Sequence, residues 1–157
     1  MRTITKLGLA CFAGAVFLVP LAQLAVAQYR HPLYLHARSD MRRAQFLLRV
    51  TEEPNVTRNL RMADQEVEAA IHEIDHAAVL DGKDLEEHPE VDTRVPRVDR
   101  FRKILDLLRG ARRDIEREED NPMARRWRDV AFQHVDAALD FVHRAAVDAH
   151  IDRELGY

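Results

Sequence analysis

An all-α bundle of four helices is the fold this chain predicts, and three observations predict it. Gly and Pro are scarce, at five and six in 157 residues, and the chain is rich in Ala, Leu, Arg and Glu, which favour helix. Apolar residues recur at spacings of three and four along four separate segments, the mark of one buried helical face. Two of the three breaks between those segments are short, and one is long.

The first residues stand apart from the fold. Arg2 and Lys6 make a basic start, Leu7 to Leu24 is nearly unbroken apolar sequence, and Ala25-Val26-Ala27 is a small-x-small cleavage pattern. Residues 1–27 therefore read as a secretory signal peptide cut before Gln28. An uncleaved membrane anchor is the alternative, and Pro20 with the A-x-A ending counts against it. The expected location is the periplasm or the exterior, with no stable membrane insertion after cleavage. Cleavage would remove Arg2, Lys6 and the single Cys, Cys11, taking the formal net charge from −3 to −5. Without a thiol, Cys-ligated zinc, iron–sulfur clusters and the attachment of c-type haem are excluded. Interspersed charges with a slight acidic excess argue against a nucleic-acid partner, which would call for a basic face.

In residues 28–157 the first helix, about 32–50, carries Tyr34, Ala37, Met41, Ala44 and Leu48 on one face, with Pro32 in the first turn. The second, about 54–80, aligns Leu60, Ala63, Val67, Ala70, Ile71, Ile74, Ala77 and Ala78. The third, about 96–119, does so with Phe101, Ile104, Leu105, Leu108, Ala111 and Ile115. The fourth, about 122–151, uses Trp127, Ala131, Ala138, Phe141, Val142 and Ala145, with Asn121 expected as N-cap and Pro122 as the first helical residue. The short breaks predict two antiparallel hairpins, 32–80 and 96–151, joined by a long loop 81–95, and hence an up-down-up-down bundle. The hairpins also resemble each other. A shift of 68 positions pairs Pro54 with Pro122, Arg58 with Arg126, Ala63 with Ala131, Gln65 with Gln133 and Val67 with Val135. Duplication and convergent heptad composition both account for this internal repeat.

No Ser/His/Asp set, Gly-rich phosphate loop or carboxylate dyad is evident, so a binding or interaction protein is expected rather than an enzyme. His72-Glu73-Ile74-Asp75-His76 spells the H-E-x-x-H of zinc metalloproteases. Asp75 places a charge inside it, no downstream third ligand follows, and helical phase turns both histidines away from the stripe of Val67, Ile71 and Ile74. It reads instead as a surface pair able to hold a transition metal. Antiparallel pairing is expected to set His36 near His72 and His31 near His76, so that His31, His36, His72 and His76 form a nitrogen-donor site for Cu, Ni or Zn. His134 falls close to the apolar face of the fourth helix, with Met41 at a similar level. That pair is a weaker candidate for haem or another cofactor in the core, and a core histidine held by a carboxylate is the plainer reading. A chaperone-like module that self-associates, as a homo-oligomer, or grips a protein partner through Phe46 and Leu47 is the alternative from a different class.

The stretch from His31 to Ala44 (H-P-L-Y-L-H-A-R-S-D-M-R-R-A), with E-E-D-N-P from Glu118 to Pro122, resembles small exported bacterial four-helix-bundle proteins of uncharacterised function. The resemblance implies helical hairpins and carries over no functional residue.

Overall fold

The structure is a computed structural model that describes residues 32–80, 94–117, 122 and 124–157. The expected signal peptide, most of the long loop and Asn121 lie outside the described residues. Four α-helices account for nearly all of those residues: α1 (Pro32–Leu48), α2 (Pro54–Leu80), α3 (Arg97–Arg117) and α4 (Arg125–Asp148), followed by a 3-10 turn at Arg153–Leu155. The all-α four-helix bundle is as the periodicity predicts. Prolines open α1 and α2, where the missing N–H costs nothing. Between them the turn is closed by the Thr57 hydroxyl, which donates to the Glu52 carbonyl at 2.8 Å and accepts from the Glu52 N–H at 2.9 Å. Helix α4 starts later than expected. Pro122 lies in a turn, and Ala124 is the N-cap without a side-chain hydrogen bond. Ala124 is fully buried, so packing rather than capping chemistry sets where this helix begins.

The core follows a seven-residue rhythm. In α2, Ala63, Ala70 and Ala77 are fully buried, interleaved with Leu60, Val67 and Ile74. From the N-cap Ala124 into α4, buried alanines recur every seven residues at Ala131, Ala138 and Ala145, with Val135 and Val142 between them and Ala146 buried beside the last. A heptad alternation of small and branched residues keeps one seam facing the partner helix and lets the backbones come close. Accordingly, α2 against α4 is the most extensive helix contact in the molecule, and α1 against α3 is second. Burial of each Leu, Val or Ile on these seams contributes roughly 1.5–3 kcal/mol.

Ion pairs and ring contacts fix the helix directions. Arg38 meets Asp75 at one end of α1·α2 and Arg49 meets Asp64 toward the other, so this pair is antiparallel. In α2·α4, His76 lies on Trp127, Glu66 on His134 and Asn59 on Asp148, again antiparallel. In α1·α3, Asp40 lies beside Gly110 while Glu52, just past α1, meets Arg100, a third antiparallel pair. Helix α3 pairs with α4 through Arg112 and Asp136, and Arg102 reaches the Glu154 carbonyl. The two hairpins are therefore present, but α2 and α3 run in the same direction and lie diagonally, with no close backbone approach among the described residues. The order is up-down-down-up, not up-down-up-down. Leu80 and Arg97, which pairs with Glu53 beside the start of α2, stand at opposite ends of the bundle, roughly 40 Å apart, within reach of the sixteen residues that connect them.

Many buried positions of the two hairpins coincide. Buried Val56, Ala63, Val67, Ala70, Ile74 and Ala77 of α2 have buried counterparts 68 residues on, at Ala124, Ala131, Val135, Ala138, Val142 and Ala145. Tyr34, Ala37, Met41, Ala44 and Leu48 of α1 have theirs 67 residues on, at Phe101, Ile104, Leu108, Ala111 and Ile115. With corresponding helices antiparallel, a local two-fold axis relates the hairpins.

Two charged groups inside this frame are testable. Arg38 is buried, its side chain 4% exposed, and its Nε donates to Asp75 Oδ1 at 2.6 Å. Asp75→Ala leaves that guanidinium without its acceptor and should cost roughly 2–3 kcal/mol, near the low end for breaking a buried pair because Asp75 still sees water. Pairing it with Arg38→Met should recover most of the loss, read from urea midpoints at constant slope. Asp40 sits where a Cβ on Gly110 would come within 2.9 Å of its Oδ2, so the glycine gives the carboxyl its place between α1 and α3. Burial, then Asp114, pushes the Asp40 carboxyl above the usual range, against the pull of Arg43, His36 and Lys103. A raised folded-state value means that protonated Asp40 favours folding. That contribution is complete below the ordinary carboxylate range and is lost as pH rises through the folded value. Asp40→Asn should therefore match the parent in acid and exceed it in stability at neutral pH, as followed by denaturation across that range.

Candidate functional site

The histidine pair of α2 is built by helical phase. With 3.6 residues per turn, His72 and His76 stack one turn apart on the side opposite the seam residues Val67 and Ile74. Both are exposed. Their Nε2 atoms are 3.2 Å apart and the rings meet edge to face with centroids at 4.4 Å. Trp127, from the first turn of α4, stacks on His76 at 4.6 Å and 21°. The indole, itself packed against the core, braces the outer histidine from a second helix. With metal–nitrogen bonds of roughly 2.0–2.1 Å, nitrogens at this spacing subtend an angle of roughly 100° at a shared ion, between square-planar and tetrahedral values.

The other two predicted ligands do not join them. His31 lies outside the described residues. His36 is exposed on another side of α1, where its field acts on Asp40. Its level also differs from the expected one: the pairs Arg38 with Asp75 and Arg49 with Asp64 set His36 nearer Ala77 than His72, and the residue facing α2 is Arg38. Two positions along a helix is about 200° of rotation, which turns His36 away from the pair. Among the described residues no group of three or more His, Cys, Asp or Glu is placed to hold a metal ion. The site is thus a pair of donors. On its other flank His72 borders a groove of about 660 Å³ between α1 and α2, lined also by Arg42, Gln45, Arg49, Gln65 and Glu68.

The core pair His134 and Met41 is not assembled as a cofactor site. Met41 is fully buried on α1, whereas His134 stands on α4, which is diagonal to α1 with no close backbone approach among the described residues, and is partly exposed. Its Nδ1 lies 2.7 Å from Glu66 Oε2, at side-chain exposures of 33% and 26%. His134 meets this carboxylate because it flanks the α2·α4 seam. Glu66 and His134 are 68 residues apart, so they are counterparts facing each other near the local two-fold axis. Leu47, expected to be exposed with Phe46, is buried at 1%, three residues beyond Ala44 on the stripe, while Phe46 is 48% exposed. The proposed two-residue grip on a partner helix is therefore absent.

Sequence reasoning did not foresee Trp127 as a neighbour of His76. The antiparallel register of α2 and α4 would have brought them to one level, had the diagonal placement of α3 been known. None of the described helices is long and apolar enough to cross a membrane. Comparison of the whole chain with protein-family models, with characterised proteins and with solved structures finds no match.

The facing counterparts provide a test of the register. Glu66→His or His134→Glu alone should each lose up to about 1 kcal/mol, as for a partly exposed pair. The double exchange should restore the parent stability, since each residue then stands where its partner stood; thermal or urea unfolding of the four proteins completes the cycle.

Proposed function

We propose that this chain is an exported, non-enzymatic helical binding protein that holds a divalent transition metal, Cu, Ni or Zn, between His72 and His76. The observation that carries the reading is the 3.2 Å separation of two exposed Nε2 atoms on one rigid helix. A helix that is already folded makes the pair pre-organised, so little ordering cost opposes binding. The stacked Trp127 further restricts His76. The pair is also not a by-product of the matching hairpins, since the positions 68 residues on are Asp140 and Arg144. Two protein donors leave the remaining coordination positions to water or small ligands, which suits reversible capture and release better than a closed structural site.

Trp127 is the single tryptophan of the chain and lies against one ligand, which provides the test. Titrating the metal-free protein with Cu(II) should quench its fluorescence saturably, and Zn(II) should compete without comparable quenching. His72→Ala, which leaves the His76–Trp127 stack in place, should abolish the saturable phase. Acidification should reverse it, because a protonated imidazole cannot ligate. Quenching that survives His72→Ala unchanged would refute the assignment.

A further inference from the structure

The matching hairpins carry an inference independent of the metal site. We infer that the buried face of each hairpin is a docking surface for the opposite hairpin of a second copy, so that the full chain exchanges hairpins to form a dimer. The partner is a second copy because the surface already fits the opposite hairpin of this same sequence, which a second copy also carries. Corresponding helices meet antiparallel across the seams α2·α4 and α1·α3, and their buried positions coincide at offsets of 68 and 67. This is the arrangement of an isologous pair, in which each half offers the same patch to the other.

What joins the halves across those seams is side-chain packing and polar pairs: Glu66 with His134, Asn59 with Asp148, Arg100 with Glu52 and His76 with Trp127. Every one of these contacts forms equally well when the two hairpins belong to different chains. The connecting residues 81–96 favour the monomer over the exchanged dimer through the effective concentration they impose, a preference that rising protein concentration offsets. A connection whose ends stand at opposite ends of the bundle does not force the hairpins it joins to pair with each other, as a tight turn would. High protein concentration during refolding therefore shifts the balance toward exchange. The dimer repeats the bundle twice, with unchanged helix content and two His72–His76 pairs.

The experiment uses full-length protein in a Cys11→Ser background, where an introduced cysteine is the sole thiol. One population carries Glu66→Cys and a differently tagged population carries His134→Cys, both partly exposed positions. The two are unfolded, mixed, refolded at low and high concentration, and treated with a short bis-maleimide. Exchange predicts a chain-to-chain cross-link that grows with concentration in the mixture and is missing when either population is refolded alone, because residue 66 then faces an unmodified His134. A single chain carrying both cysteines should cross-link internally when refolded dilute, which confirms the register and shows that the variants fold. Monomer alone at every concentration overturns the inference. So does cross-linking that is as frequent within one population as between the two.

Discussion

The seam between α2 and α4 is the constraint on which the rest of the molecule depends. Alanines seven residues apart on both helices, alternating with Leu, Val and Ile, allow two long backbones to approach closely along their whole length. A helix pair of that kind tolerates little slippage, because moving by one residue would turn branched side chains onto facing branched side chains. Once that register is set, α1 and α3 lie on the same side of it and close the core with Tyr34, Met41, Phe101 and Leu108, all fully buried. The most abundant small residue of the chain thus decides its architecture.

Most charge is arranged around that frame, with Arg38 and Arg100 the buried exceptions among the described residues. Arg38 with Asp75 pins one end of the bundle, and at the other Arg97 and Arg100 gather on Glu52 and Glu53 in the turn between α1 and α2. Burial lowers the basicity of the Arg100 guanidinium, as expected where a cation is withdrawn from water and held by a carboxylate. The candidate metal pair belongs to the same logic. The seam consumes one face of α2, so the residues half a turn away, His72 and His76, are presented outward on a rigid support, and the antiparallel register brings Trp127 from α4 to meet them.

Much of this was legible in the residues. The four helices, the apolar stripes and the outward phase of His72 and His76 follow from period alone, because 3.6-residue geometry is local and needs no partner. Relations between helices were less legible. His36 lies about a turn off the level expected and on another face, since the exact register and the rotation about the helix axis are set by the side chains the neighbouring helix accepts, here Arg38 on Asp75. Leu47 looked exposed beside Phe46 until α3 was placed against α1. His134 found Glu66 because its nearest neighbour is α2, which a core list alone does not say.

By itself the amino-acid sequence determined the secondary structure, the seven-residue core pattern, the likeness of the two hairpins and the spacing that makes His72 and His76 a chelating pair. Only the tertiary structure decided the direction of α3, the diagonal position of α2 and α3, and the neighbours of each histidine. The physical reason is the connection between the hairpins. Short turns transmit direction from one helix to the next, whereas residues 81–96 are long enough to return the chain to either end of the bundle. At that point the choice passes from local geometry to the fit of the alanine seams.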